Sequence, residues 1–373
     1  MPRKRSSNTS TTDEQAVKER LDRFISKQRV HMYKPIQVAE ILYRVRRGEF
    51  SSKDLDNREN YRNLSKRWRD EVTRKLVGSV CTSSQKFQDN LFEENAVPPW
   101  FLKQLAAINY RHGGLVERYI YQQFAKRLKV IFEARAYLHT RPEEFSIEKF
   151  FAYFEDKKVL RRSVDKAYEI AVYALFNAVL DQLRVSVEIA VDPRSLSKYP
   201  EFASLTSLLL GLSESTPRRS MSARLFRSGI ANAADCGVDM WANFGPIVQV
   251  KHVTLSMEIA EDVAESTTAE EIVIVCRDSE ADILQSVASQ LGRRIRGIIR
   301  ESELKLWYQT AFSPKYAATL GLRTLSYLQR EFDSEFPFCN PTYSENFRSF
   351  YKERGYDQLQ KPSAESPFYE PDE

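Results

Sequence analysis

The chain has 373 residues, of which 42% are hydrophobic, so it can bury one large core or two smaller ones. Its four cysteines lie far apart and show no paired spacing with the four histidines, which argues against a disulfide framework and against a zinc site. No apolar run approaches the roughly 20 residues of a membrane-spanning helix, and no apolar segment follows the basic N-terminus. We therefore expect a soluble, cytoplasmic protein.

Helical patterns dominate the first 160 residues. Residues 1–15 are rich in Ser and Thr and are expected to be disordered, and a helical pattern runs from Ala16 to Gln28. Pro35 stands where a first helical turn tolerates proline, and "IQVAEILYRVRR" continues this helix. After a polar break, "NYRNLSKRWRDEVTRKLVG" predicts a further helix. These patterns predict a helical region over residues 16–160.

The net charge of +5 is concentrated in one stretch of this region. Residues 44–75 contain 11 basic and 6 acidic residues, a surplus of 5 that equals that of the whole chain. Such a positive field suits a phosphate backbone, and two short basic helices joined by a turn resemble a DNA-binding helix pair. We therefore interpret the helical region of residues 16–160 as a DNA-recognition region. A solvated helix face with ion pairs is the alternative. The candidates for DNA contact are basic side chains of the helix in "NYRNLSKRWRDEVTRKLVG" and polar residues of the loop after it: Arg62, Lys66, Arg67, Arg69, Ser84, Gln85 and Lys86.

The second half of the chain changes from helical to α/β. A long helix is predicted from Leu115 to about His139, an apolar helix in "DKAYEIAVYALFNAVLDQL", and the first strand in "RVSVEIAVDP", where apolar residues alternate. Residues 193–222 are interpreted as an insertion with one helix. "EEIVIVCRD", "SEADILQSVASQLG" and "RIRGIIR" then predict a strand, a helix and a parallel strand. These patterns predict an α/β fold class with a largely helical N-terminal part, an α/β core over residues 161–336 and a partly disordered extension over residues 337–373.

A hairpin in "VDMWANFGPIVQVKHV" carries an acid and a lysine in otherwise apolar strands. Because proline cannot donate to a central ladder, the turn is expected at Gly245 and Pro246. A three-residue loop of residues 244–246 pairs Asp239 with Lys251 and puts both on one face with Gln249. Gly245 suits such a loop, which commonly needs a residue in the left-handed region.

This arrangement can bind a hard cation next to a group that orients water. Asp239, the Gln249 amide oxygen and the Val250 carbonyl are the predicted Mg²⁺ ligands, and Lys251 is the predicted water-positioning residue. Metal and lysine together can counter the charge that develops on a phosphodiester. The alternative is a structural hairpin at a sheet edge with an Asp–Lys pair across two strands, since the spacing alone is a weak motif.

The residues around this hairpin resemble a known nuclease class. "NAADCGVDMWANFGPIVQVKH" resembles the metal-binding core of PD-(D/E)XK nucleases, in the variant with glutamine in place of the second acid. Together with "RVHMYKPIQVAEILYRVRRG" and "RWRDEVTRKLVGSVCTSSQKFQDNLFEENAVPP", it is similar to HaeII-like type II restriction endonucleases over about residues 28–336. The resemblance implies that residues 161–336 form a restriction-endonuclease-like nuclease core, a mixed sheet flanked by helices. It implies Mg²⁺-dependent cleavage of both strands of double-stranded DNA at a short palindrome. It also implies a homodimer and a cognate DNA methyltransferase that protects the host.

Glutamine is neutral, so the resemblance implies a further acid near Asp239. We favour Glu117, on an amphipathic helix just after two glycines; the other candidates are Glu169, Glu188 and Asp235. Catalytic roles would then fall to Asp239, Gln249, Lys251 and Glu117. Two other functions stay open: a non-catalytic DNA-binding protein with a decayed nuclease fold, and a structure-specific repair nuclease.

Overall fold

A computed structural model describes residues 7–78, 80, 89–155, 160, 163–228, 238–265, 269–278, 281–291, 293–337, 343–359 and 366–371. The chain forms two compact units, and each contains more than one segment of the sequence. Unit 1 consists of Met1–Ala136, Ala152–Val164 and Asp333–Glu373, and unit 2 of Tyr137–Phe151 and Asp165–Phe332. Within the described ranges, no helix is both long and apolar enough to cross a membrane.

Unit 1 is helical, as predicted for the N-terminal region. Its main helices are α1 (Ser7–Ser26), α2 (Tyr33–Arg46), α3 (Arg62–Val77), α4 (Pro99–Arg111) and α5 (Leu115–Tyr137). Helix α6 (Ile147–Glu155) lies where the chain passes between the two units. The helix predicted from Leu115 is thus confirmed, two residues shorter than expected.

Described residues near both ends of the chain have buried long-range contacts. Helix α1 begins at Ser7, and the buried Glu14 accepts hydrogen bonds from Arg111 and Ser366. In the C-terminal segment, the side chain of Phe368 is fully buried. The expected disorder of residues 1–15 and of part of residues 337–373 stays a prediction.

Unit 2 contains the strands, which form two sheets. Helix α7 (Val164–Gln182) precedes β1 (Ser186–Ala190), and β1 pairs antiparallel with β2 (Arg218–Ser222) as a separate two-stranded sheet. The segment between them contains α8 (Pro193–Leu196) and α9 (Ala203–Leu210), so the predicted insertion carries two helices and a strand. The remaining elements are β3 (Leu225–Arg227), β4 (Met240–Ala242), β5 (Ile247–Thr254), α10 (Met257–Glu265), β6 (Ile272–Arg277), α11 (Ala281–Leu291), β7 (Ile295–Arg300), α12 (Glu301–Ala311) and α13 (Leu322–Glu335). Helix α14 (Tyr343–Arg354) belongs to unit 1.

The larger sheet is mixed and has the strand order β3-β4-β5-β6-β7. Strands β3, β4 and β5 are antiparallel neighbours, whereas β5, β6 and β7 are parallel. An apolar cluster from β5, β6, β7, α10 and α11 packs beside this sheet. The predicted α/β class, with a mixed sheet flanked by helices and a helical N-terminal part, is confirmed. Strand β5 is the central strand, with a hydrogen-bonded neighbour on each side.

The hairpin between β4 and β5 has a three-residue loop, but its position differs by one residue from the prediction. Trp241 pairs with Ile247 and Met240 with Val248, so the loop is residues 243–245. The Ala242 N–H donates to the Pro246 carbonyl at 2.9 Å, a bond that needs no proline N–H. Continuing this register, Asp239 lies opposite Gln249 and not opposite Lys251. The predicted pairing of Asp239 with Lys251 is therefore wrong by two residues.

Candidate active site

Asp239 lies at the start of β4 and is held by the backbone and side chain of β5. Its carboxylate accepts a hydrogen bond from the Val250 N–H at 2.8 Å, and its own N–H donates to the Gln249 side-chain oxygen at 3.1 Å. Burial raises the pKa of Asp239, against the opposing effects of the Val250 N–H and of the Lys166 and Lys251 ammonium groups. The hairpin thus brings the predicted acid, amide and lysine together.

Strand β5 places polar side chains in the middle of the sheet. Gln249 is 4% exposed, and Lys251 is half-buried on the same strand. A polar side chain in a central strand costs free energy unless it has partners. The alternative of a structural hairpin at a sheet edge does not fit this position, because β5 has β4 on one side and β6 on the other.

A second acid approaches Asp239 from helix α7. Glu169 is buried, and both of its carboxylate oxygens lie 2.7 Å from the Lys166 ammonium group. Burial and the neighbouring negative charge of Asp239 raise the pKa of Glu169 to about 7, although Lys166 and Arg227 oppose the shift. Glu169 thus shares its electrostatic environment with Asp239.

Helix α7 is fixed by hydrogen bonds at its buried face. The Asn177 side chain accepts from the Leu225 N–H at 2.9 Å and donates to the Leu225 carbonyl at 3.2 Å, which ties α7 to the edge strand β3. The Tyr308 hydroxyl donates to the Ala171 carbonyl at 2.8 Å. These bonds determine where α7 presents Glu169.

Three charged residues near this site were missed in the sequence. Lys166 pairs with Glu169, Asp165 raises the pKa of Asp239, and Arg227 of β3 lowers that of Glu169. Arg227 also forms an ion pair with Glu331 at 3.4 Å. The spacing of Asp165, Lys166 and Glu169 puts them on adjacent positions of one helix surface. Three charged residues at the start of an otherwise apolar helix could have predicted a site there. No local sequence feature predicts a role for Arg227.

The donor atoms of this site suit a hard divalent cation. Within the described part of the chain, no group of three or more His, Cys, Asp or Glu side chains could hold a metal ion. Asp239 and Glu169 supply two carboxylates, and the Gln249 amide supplies a neutral oxygen donor. Both acids have raised pKa values from burial, and a bound cation would relieve that unfavourable charge. The chemistry of these donor atoms therefore fits a divalent metal ion.

Glu117, the further acid that the sequence favoured, belongs to unit 1 and is buried there among hydrogen-bond donors. Its side chain is 0% exposed and accepts from Arg46 at 3.0 and 2.9 Å and from the Tyr356 hydroxyl at 2.7 Å. Asn109 also donates to it. These four donor groups engage both of its carboxylate oxygens, and this environment fits a structural role for Glu117. Glu188, another candidate, lies on β1 and is exposed, 3.8 Å from Arg218.

The basic residues of α3 have different environments. Arg69 is 2% exposed, donates to Asp70 at 2.7 Å, and lies over the Tyr33 ring, so a role in DNA contact does not fit it. Arg62 and Lys66 are half-buried, and Arg67 is exposed. Ser84, Gln85, Lys86 and Asp235 lie outside the described residues.

Comparison with known proteins identifies the family of this chain. Residues 17–356 match the family described as HaeII restriction endonuclease. The chain is 41% identical to "Type II restriction enzyme HaeII" of Haemophilus aegyptius over 349 residues, which is 93% of this chain and 98% of that protein. It is 42% identical to "Type II restriction enzyme NgoBI" of Neisseria gonorrhoeae over 352 residues, with the same coverage. No solved structure matches the chain significantly. The chain belongs to the HaeII restriction endonuclease family.

Proposed function

We propose that this restriction endonuclease hydrolyses both strands of double-stranded DNA at a short palindromic sequence in a Mg²⁺-dependent reaction. The observation that carries the proposal is the meeting of Asp239, Gln249 and Lys251 on the β4–β5 hairpin, with Glu169 beside them. An acid, an amide and an amine at the start of one hairpin are the elements of the PD-(D/E)XK nuclease site in its glutamine variant. The family membership and the named relatives support the same reaction.

Asp239, Glu169, the Gln249 side-chain oxygen and the Val250 carbonyl would hold the cation. Mg²⁺, when bound, supplies positive charge opposite the phosphodiester in the transition state. The Gln249 oxygen also accepts from the Asp239 N–H, so the amide fixes the acid as well as contributing a donor atom. In this assignment Glu169 replaces Glu117 as the additional acid.

Lys251 acts on the water and on the phosphate. Its ammonium group is half-buried and near enough to Asp239 to lower the pKa of that acid. As an ammonium it donates hydrogen bonds, so it orients the attacking water toward phosphorus and counters the charge that builds up on the phosphate oxygens. Hydrolysis forms one P–O bond to the water oxygen, breaks one P–O ester bond, and releases a proton.

A palindromic site matches two-fold protein symmetry, and we therefore expect a homodimer in which each subunit cuts one strand. Arg62, Lys66 and Arg67 on α3 remain the DNA-binding candidates of the described residues. A cytoplasmic location and a cognate methyltransferase that protects the same sequence complete the proposal.

The test is digestion of one plasmid of known sequence, followed by mapping of the fragment ends. The proposal predicts discrete fragments with Mg²⁺, none with EDTA, and ends that share one short palindrome. Intact DNA at stoichiometric protein would favour a non-catalytic DNA-binding protein. Nicking or progressive loss of ends would favour a repair nuclease.

A further inference from the structure

Helix α9 is apolar and almost wholly exposed. Leu208 is 85% exposed, Leu209 75% and Leu205 55%, and α9 has no buried residue. Tyr199 and Phe202, just before the helix, are also exposed. An apolar helix is ordinarily buried in a globular protein. The surface of α9 and these two aromatic residues therefore has the character of a contact region.

The size of this patch approaches what one partner contributes to a stable interface. From side-chain areas and the exposed fractions, the five residues present roughly 600 Å² of apolar surface. One side of a standard interface buries about 800 Å². The helix and its surroundings can thus supply most of a dimer contact.

The distribution of charge indicates that the partner is a second copy of this chain. Residues 202–213 contain no charged side chain, so a patch that packs against itself across a two-fold axis brings no like charges together. Opposite charges flank helix α9. Glu201 precedes the helix. Arg219 lies next to Gly211 at the C-terminal end of the helix: a Cβ atom placed on Gly211 would be 2.7 Å from the Arg219 guanidinium. Both side chains are exposed.

We propose that α9 packs antiparallel against α9 of a second copy and forms the homodimer contact. In this arrangement Glu201 of one subunit lies near Arg219 of the partner, and the leucines fill the centre. DNA is a poor occupant for the same surface, because binding to phosphates needs basic side chains that residues 202–213 lack. The proposal rests on the dimer expected for the proposed function, but it concerns a surface and not the cleavage chemistry.

The first test is sedimentation velocity of the full chain and of two matched variants. Wild type should have the mass of two chains, and Leu208→Glu, which places a charge in the contact, should raise the dimer dissociation constant at least about 100-fold. Leu306→Glu on α12 is the control, because Leu306 is 59% exposed outside the patch. It should sediment as wild type does. A monomeric wild type, or a Leu208→Glu variant that dimerises like wild type, would overturn the proposal.

A charge exchange tests the antiparallel arrangement. Glu201→Arg and Arg219→Glu should each weaken the dimer about 3- to 10-fold, as expected for exposed ion pairs, and the double variant should regain wild-type affinity. Additive weakening in the double variant would contradict the antiparallel contact. Plasmid cleavage separates the two proposals. A wild type that dimerises through α9 but does not cut DNA refutes only the proposed nuclease function. An enzyme that cuts DNA and keeps the dimer mass in the Leu208→Glu variant refutes only the α9 contact.

Discussion

At the scale of single residues, two buried glutamates have different environments. Glu169 accepts hydrogen bonds from Lys166, yet burial and the charge of Asp239 raise its pKa to about 7, whereas Glu117 accepts from Arg46, Asn109 and Tyr356. A charged group held at a free-energy cost is typical of a functional site. A fully paired one stabilises the fold instead.

Exchanging each glutamate for glutamine should separate these roles. Glu169→Gln should lower the single-turnover cleavage rate at least about 100-fold, because a charged ligand is lost, with no loss of thermal stability. Glu117→Gln should cost about 3 kcal/mol of stability, because Arg46 keeps its charge without a counterion, and folded molecules should still cut. Thermal melts and cleavage assays on both variants check this. A stable, fully active Glu169→Gln enzyme would refute our assignment of the further acid.

The pH dependence of stability should reveal His31. Burial, and then the charge of Arg29, lower the pKa of His31 to about 4. Between pH 6.5 and 4 the unfolded chain binds a proton that the folded chain does not, so this contribution to stability is present above pH 6.5 and is lost as the pH falls toward 4. Because the side chain is partly exposed, we expect about 2 kcal/mol.

The measurement is urea denaturation at pH 7.5 and pH 5. His31→Gln removes the titrating group, so this variant should lose less stability than wild type on acidification. The exposed His139→Gln is the matched control for loss of an imidazole. Equal losses in wild type and His31→Gln would show that His31 does not contribute.

At the scale of elements, the β4–β5 hairpin depends on its loop. Gly245 has a φ of 121°, which side chains rarely adopt, and its N–H donates to the Ala242 carbonyl at 3.3 Å. Gly245→Ala should therefore cost about 1–3 kcal/mol and lower cleavage, because movement of the loop shifts Asp239 relative to Val250. Gly297→Ala on β7 is the control, since open space surrounds that position. Cleavage and stability that match the control would contradict this role of the loop.

The hairpin also shows which features of the site could be predicted from the sequence. Alternation of apolar residues predicted both strands, and the glycine predicted a three-residue loop, but the loop position was wrong because Pro246 was expected inside it. Proline cannot donate but can accept, and the Ala242–Pro246 closure uses only its carbonyl. The two-residue error preserves the side-chain alternation, so the meeting of Asp239, Gln249 and Lys251 was still predictable. Glu169 was not distinguishable from Glu117, because the approach of α7 to β4 depends on tertiary packing that no local pattern records.

At the scale of the whole molecule, the units are built from distant parts of the chain. The sequence suggested a division near residue 160, and that domain boundary stays a prediction. Unit 1 includes the C-terminal segment, in which Phe368 packs against Tyr119 with ring centres 5.7 Å apart. The Pro-rich, acidic composition of the tail did not predict these contacts, because a few buried aromatic residues are enough to hold it.

Removal of that aromatic anchor should be costly. Phe368→Ala should destabilise the protein by about 3–5 kcal/mol, as expected for a fully buried phenylalanine. Tyr110→Ala, at an exposed position of the same unit, should change stability by less than about 1 kcal/mol. Denaturant unfolding of both variants checks this expectation. Equal stabilities would mean that the tail contributes little to unit 1.

The central claim is that the β4–β5 hairpin carries the chemistry, and plasmid cleavage by Asp239→Asn and Lys251→Ala tests it most directly. Both substitutions remove one charge from the site, and each should slow cleavage about 100- to 1000-fold or more in Mg²⁺, while DNA binding persists. Glu188→Gln, an exposed acid on β1, should cut at the wild-type rate. An Asp239→Asn or Lys251→Ala enzyme that cuts as fast as wild type would contradict the account.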